Sequence, residues 1–299
     1  MTKSRPNDNG RYFEFLLTDF LVKEFKISLT ERAKIDQERD KEKVVKPKAL
    51  KGMNDAVKKI KNWLEKQVEL NSKCILDRLP DKDVNQSSHA DISIIGSKKI
   101  SFSLKHNHEA IFHGRINACS NWPGIDKKSS LTTKFEKNKK NLYLDIQKKI
   151  PVGTKFADKG IYEEYREEWS KFIYELHELA RNFLNQACKD THKTRNLFNT
   201  IMGSGSDEYR ILKKNSKVII QDLRNLSPPN KVKIDNVQNL SDKYPRSSYV
   251  WHLVFCFDNG IKIDARNKQD SGTMATTPKL KLDWQVIDWG NSGMIEKIL

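Results

Sequence analysis

Apolar residues recur at helical spacing near the start of the chain. Phe13, Leu16, Leu17, Phe20 and Leu21 share one face of the segment from Gly10 to Phe25, which predicts an amphipathic helix. Asn7, Asp8 and Asn9 offer capping side chains before it. Lys34 to Lys51 is charged with few apolar anchors and reads as a solvated connection or a helix surface. Ala56, Ile60, Trp63, Leu64 and Val68 mark a second helix, and polar residues from Asp81 to Ser88 break the chain after it. The period then changes. Asp91 to Ile95 and Ile100 to Leu104 are short β-prone runs separated by Gly96, Ser97 and Lys98, the pattern of a hairpin. His108 to Ile116 begins a helix or loop. Gly160 to Leu184 carries the longest helical signal, with Tyr165, Trp169, Phe172, Ile173, Leu176 and Leu179 on one face. Ser216 to Leu223, Ser247 to Phe257, Ile261 to Arg266 and Leu280 to Ile287 read as strands. Asp258, Asn259 and Gly260 supply a tight turn between two of them, and Ser227 to Asn230, with two prolines, is a rigid connection. The predicted class is a mixed α/β or α+β fold, helices first and much of the sheet later.

Charge narrows the partners. Lys and Arg total 55 against 39 acids in 299 residues, a net charge of +16 spread along the chain. Such a surface repels copies of itself and attracts polyanions. No stretch is apolar enough to span a bilayer; the most apolar run, Tyr249 to Phe257, has strand length and is interrupted by His252. The N-terminal residues lack the apolar centre of a signal peptide, so the expected compartment is the cytoplasm. Cys74, Cys119, Cys188 and Cys256 are isolated. They lack the paired spacing of a structural zinc site and suit a reducing environment.

The hairpin carries the candidate chemistry. Strand alternation puts Ser101, Ser103 and Lys105 on one face, and a side chain that opens the preceding strand, Asp91, can meet them at a sheet edge. An acid and a lysine gathered there suit phosphodiester hydrolysis: the carboxylate holds a divalent cation, and the ammonium positions water or stabilises charge on phosphorus. Asp91, Ser103 and Lys105 form a loose pattern by themselves. The neighbours sharpen it, because His106, His108 and His113, three of the seven histidines, fall within eight positions and Arg115 follows. Such side chains donate hydrogen bonds to phosphate or bind metal. The string His106, Asn107, His108 is not the nuclease motif of that lettering, whose residues are spread over a hairpin and a helix.

The run from Ile100 to Arg115, Ile-Ser-Phe-Ser-Leu-Lys-His-Asn-His-Glu-Ala-Ile-Phe-His-Gly-Arg, resembles the core of the HaeIII-like type II restriction endonucleases, in which a strand ends in Ser-x-Lys-His-Asn-His and a His-x-Arg follows. Gly10 to Glu14 is similar to the opening of that group's first helix. Asp258 to Asn267, with Pro278 to Asp283, is similar to its closing segment. The matches keep the same order and cover about a quarter of the chain; residues from about 125 to 245 match nothing in that group.

The resemblance implies the PD-(D/E)xK nuclease fold, a central mixed sheet flanked by helices, in one nuclease domain over residues 1–299. Residues 1–125 and 245–299 would form the catalytic core and 126–244 a DNA-recognition or helical insertion. Asp91 would be the metal-binding aspartate, Lys105 the catalytic lysine and Mg2+ the cofactor. Ser103 stands where most of the superfamily has a second acid, and a hydroxyl is a poor ligand for a hard cation. Glu14 is the preferred replacement, Glu109 a weaker one, and the Leu104 carbonyl a neutral oxygen ligand. His106, His108, His113 and Arg115 would hold phosphates. Arg266 and Asn267, followed by Lys268 and Gln269, have side chains suited to base edges. Trp122 would be a loop wedge beside DNA or a packed core residue, the latter favoured. The expected activity is hydrolysis of both strands of a short double-stranded DNA site by a homodimer or a monomer, paired with a cognate DNA methyltransferase; GGCC is the site typical of the group. The rival readings are a non-specific or repair-type nuclease of the same superfamily and a non-catalytic basic nucleic-acid-binding protein.

Overall fold

In the computed structural model the N-terminal apolar stripe forms helix α1 (Pro6–Phe25), and Phe13, Leu17 and Leu21 are buried at successive turns. The structure describes residues 6–43, 45–79, 90–107, 111, 114–154, 164–203, 208–238, 251–269, 274–276 and 280–299. The predicted break from Asp81 to Ser88 lies outside them.

The charged run after α1 is helix surface for much of its length, one of its two expected readings. It holds helix α2 (Glu31–Asp40), started by Thr30, whose hydroxyl accepts from the Ala33 N–H at 3.2 Å. The same hydroxyl donates to Asp77 at 2.6 Å, and Arg32 also pairs with Asp77, which pins the start of α2 to a strand. Helix α3 (Pro47–Leu64) begins with proline at a position where the missing N–H costs nothing. Met53, Ala56, Val57, Ile60 and Leu64 form its buried face.

Seven strands make a mixed sheet in the order β1 (Ser28–Leu29), β2 (Ile75–Arg78), β3 (Ile92–Ile95), β4 (Lys99–His106), β5 (Glu208–Lys214), β6 (Lys217–Asp222) and β11 (Ile295–Ile298). The β1–β2 and β4–β5 pairs are parallel and the others antiparallel. The predicted hairpin is β3–β4, with Ile92 opposite Phe102 and Ile95 opposite Lys99. Leu76, Ile92, Ile94, Ile100, Phe102, Leu104, Tyr209, Ile211, Val218 and Ile220 cluster with the apolar stripes of α1 and α3. That burial supplies the main stabilisation of this region.

Residues 107–207 of the chain intervene between the parallel neighbours β4 and β5. They contain a 3-10 helix (Ile116–Asn121), α4 (Ser130–Lys149), α5 (Arg166–Ala187) and α6 (Thr191–Met202). A second, antiparallel sheet runs β10 (Leu280–Asp288), β9 (Lys262–Gln269), β8 (Trp251–Phe257), β7 (Val232–Gln238). The Asp258 to Gly260 turn joins β8 to β9, and Gly260 has φ +90°, which a side chain would oppose. A Cβ on Gly290, at φ +50°, would approach the Gly260 backbone to 2.6 Å, so two turns meet there at glycine–glycine distance. Helix α5 docks on β7 through Asn185, whose amide exchanges two hydrogen bonds with the Ile234 backbone at 2.8 and 3.0 Å. Trp284 packs against Trp122 and Phe255, with ring centroids 5.1 and 4.9 Å apart. Trp122 is therefore core, as favoured.

The protein is a mixed α+β fold. Its contacts divide into two compact units: Met1–Glu109 with Gly203–Leu226 and Gly293–Leu299, and Ala110–Met202 with Ser227–Ser292. This division differs from the expected core of 1–125 plus 245–299. Strands β8 to β10 hydrogen-bond to β7 in a sheet of their own, whereas β5 and β6, from the expected insertion, extend the hairpin's sheet. Among the described residues no helix is long and apolar enough to cross a membrane.

Candidate active site

Asp91 closes the β3 ladder. Its N–H donates to the Phe102 carbonyl at 3.0 Å. Its carboxylate oxygen Oδ2 accepts the Leu104 N–H at 2.6 Å, at the point where β4 runs past the end of β3. The backbone thus fixes the side chain at the sheet edge. Lys105, the next residue on β4, brings Nζ to 3.4 Å from the same oxygen. Both side chains keep partial access to solvent, 16% for Asp91 and 21% for Lys105. The predicted acid and lysine therefore meet.

Glu14, on α1, feels the charges of both. It follows Phe13, so it lies about 100° round the helix from that residue and at the border of the buried stripe. Burial first, then the negative charge of Asp91, pushes the Glu14 carboxyl up to about 7, against the pull of Arg78 and Lys105. The charge of Asp91 thus acts against ionisation of Glu14.

Behind Glu14 stands a network absent from the sequence expectations. Arg78, at the end of β2, is 2% exposed and donates to Glu14 Oε2 at 2.8 Å, to Asp40 Oδ2 at 2.9 Å and to Gln37 Oε1 at 3.0 Å. Gln37 and Asp40, three residues apart, share the inward face of α2. Asp40 is fully buried, and burial works against its charge. Hydrogen bonds from Arg39, both at 3.0 Å, and the nearby Arg78 nevertheless hold its carboxyl below the ordinary range. The signal for Arg78 lay in strand alternation: Leu76 and Arg78 share a face, and an arginine in line with a core leucine must find buried partners. Nothing in the polar α2 segment signalled which residues those were.

The remaining predicted residues fall in several places. Ser103 is buried in β4, and its hydroxyl makes no hydrogen bond among the described residues. Ser101 bonds Ser93 across the hairpin at 3.2 Å. Leu104 reaches Asp91 through its N–H. His106 packs on Phe13, ring centroids 6.2 Å apart, with Nε2 buried and without a partner among the described residues. Burial, then the charge of Lys213, lowers its pKa, so the ring is held neutral. His108, Glu109 and His113 lie outside the described residues, as does the side chain of Asn267. Arg115, exposed before the 3-10 helix, and Arg266 on β9 belong to the second unit. Arg266 donates to Asp264 at 2.9 Å and also bonds Gln285 across the sheet.

The donor set fits a hard cation. Among the described residues no group of three or more His, Cys, Asp or Glu is arranged to hold a metal ion. Mg2+ does not require one, since it keeps several waters and binds through one or two carboxylates plus substrate phosphate. Asp91 at a partly open sheet edge, with Glu14 within reach of its charge, supplies the local negative charge such an ion neutralises.

Comparison with protein-family models, with curated proteins and with solved structures finds no match.

Proposed function

We propose that the chain is a metal-dependent nuclease, and specifically a restriction-type endonuclease that hydrolyses both strands of a short site in double-stranded DNA. The observation that carries this reading is the Asp91–Lys105 pair, 3.4 Å apart at the sheet edge, with the Glu14 carboxyl of α1 within reach of both charges. The resemblance of the Ile100 to Arg115 segment to HaeIII-like enzymes supports the same choice, and the net charge of +16 suits a polyanionic substrate.

Asp91 and Glu14 would hold Mg2+. The ion would offset charge on the scissile phosphate and make water more acidic. Lys105 stands beside Asp91, where its ammonium orients the attacking water and stabilises negative charge developing on phosphorus. Hydrogen bonding of Asp91 to the β4 backbone keeps its carboxylate fixed, so less reorganisation is needed when substrate arrives. Arg266, held rigid by Asp264 and Gln285, is suited to reading a base edge. A symmetric DNA site would be met by two copies of the chain or by one copy acting twice, and a companion methyltransferase would protect the host's own sites.

The test is incubation of the purified protein with unmethylated phage DNA in Mg2+ or in EDTA. Discrete bands in Mg2+ alone are expected. A smear would replace the site-specific reading with a non-specific nuclease, and intact DNA of varied sequence would overturn the catalytic reading.

A further inference from the structure

Arg78 is a charge at a place where charge is expensive. Its side chain is 2% exposed, yet it lies at the end of a four-residue strand whose other inward residue is leucine. Asp40, at 2.9 Å and with no exposure, offsets part of that charge and is shared with Arg39. The guanidinium nevertheless turns a bond outward, from Nη2 to Oε2 of Glu14 at 2.8 Å, while Nη1 is held by Gln37. Gln37 is itself fixed, its amide donating to the Phe15 carbonyl of α1 at 3.2 Å. The other Glu14 oxygen, Oε1, has no hydrogen-bond partner among the described residues.

From this geometry, and resting on the metal-site reading above, we infer that Arg78 is a positioning residue that fixes Glu14 as the second cation ligand. It anchors one carboxylate oxygen and leaves the other for a divalent ion. Asp40, shared with Arg39, offsets part of its charge and so lessens its repulsion of the ion. The arrangement also accounts for Ser103. With no acid on β4 beside Lys105, the second ligand comes from a helix, and a helix side chain with several rotatable bonds must be held from behind.

Removing an outer partner of a metal ligand typically costs ~10–100-fold in affinity. Binding of Mn2+ to the full-length protein without DNA, followed by loss of the free-ion EPR signal, reads the site apart from cleavage. Arg78→Lys, which keeps the buried charge, is expected to weaken Mn2+ binding about tenfold, and Glu14→Gln at least as much. The double variant should be no weaker than Glu14→Gln alone, because Arg78 acts only through that carboxylate. Gln37→Leu leaves all three acids intact, loosens Arg78 and should lower affinity about threefold; it also reports if the Arg78 variants do not fold. Wild-type affinity in Arg78→Lys, additive losses in the double variant, or an unaffected Gln37→Leu beside unfolded Arg78 variants would each overturn the positioning role while leaving the metal site standing. Failure of the wild-type protein to bind Mn2+ would overturn both.

Discussion

Each of the two units holds an arginine between polar partners beside a sheet, and the comparison shows what a cation site requires. In the first unit Arg78 is shared by Asp40 and Glu14, and Glu14 is pressed toward a second acid, Asp91. In the second unit Arg266 is shared by Asp264 and Gln285, and the other oxygen of Asp264 lies 3.0 Å from Nδ1 of His252. The ingredients are alike and the charge placement differs. Asp264 has a cation on one oxygen, while its other oxygen is buried beside the His252 imidazole without a hydrogen bond among the described residues. Glu14 and Asp91 are like charges brought together by the fold, a costly arrangement that a divalent cation relieves. A carboxylate beside an arginine is therefore uninformative about function until the neighbours of both its oxygens are known.

The largest expected break in this contrast is Lys105→Ala. Single-turnover cleavage should fall about 10³-fold, while DNA binding in a filter assay stays near wild type; near-normal cleavage would remove Lys105 from the mechanism.

The pH dependence of stability comes next. The Glu14 carboxyl is raised from 4.5 to about 7, so the folded protein holds that proton more tightly than the unfolded chain does. Its contribution is fully present below pH 4.5 and is lost as pH rises through 7, by about 3 kcal/mol at most. Urea unfolding without divalent ions should show Glu14→Gln gaining on the wild type between pH 5 and pH 8. Equal slopes for the two proteins would mean that neither burial nor the Asp91 charge raises the Glu14 carboxyl.

The comparison itself is sharpened by two matched substitutions. Asp91→Asn should weaken Mn2+ binding about a hundredfold, the upper end of the cost of disturbing a metal site. Asp264→Asn should leave it within about twofold, since independent sites do not couple. Equal losses would erase the distinction between the two networks. Arg266→Ala is expected to reduce DNA affinity about tenfold without altering Mn2+ affinity, as for one lost base contact; unchanged affinity would make that network purely structural.

The smallest effect is assigned to His106→Gln. The ring is neutral and packed on Phe13, so DNA affinity measured at two salt concentrations should keep its slope. A slope reduced by about one would support the phosphate-contact role.

Local pattern made several parts of this architecture readable. The α1 stripe, the β3–β4 hairpin, the face of α5 and the turn at Gly260 each rest on residues close in the chain, and each appears. The longer missed elements have weaker signals. Helix α4 carries lysines and asparagines around four buried positions, and β5 is a short run that is stable as a strand because it pairs along the whole of β4's second half. The division into units was not readable, since it depends on which strands share a sheet. Within the site, Asp91 and Lys105 were visible because β alternation and a fourteen-residue separation bring them together.

What the sequence determined by itself is thus the hairpin that pairs Asp91 with Lys105, and the helix whose apolar stripe sets Glu14 at its border. Both follow from hydrophobic periodicity, which acts over a few residues and selects the face each side chain occupies. What only the tertiary structure decided is that Glu14 reaches the hairpin and what holds it there. Arg78 contacts residues 64 and 38 positions earlier in the chain. Those partners, two acids in polar surroundings, acquire their role only when packing removes water from around the guanidinium and leaves it no other source of compensation.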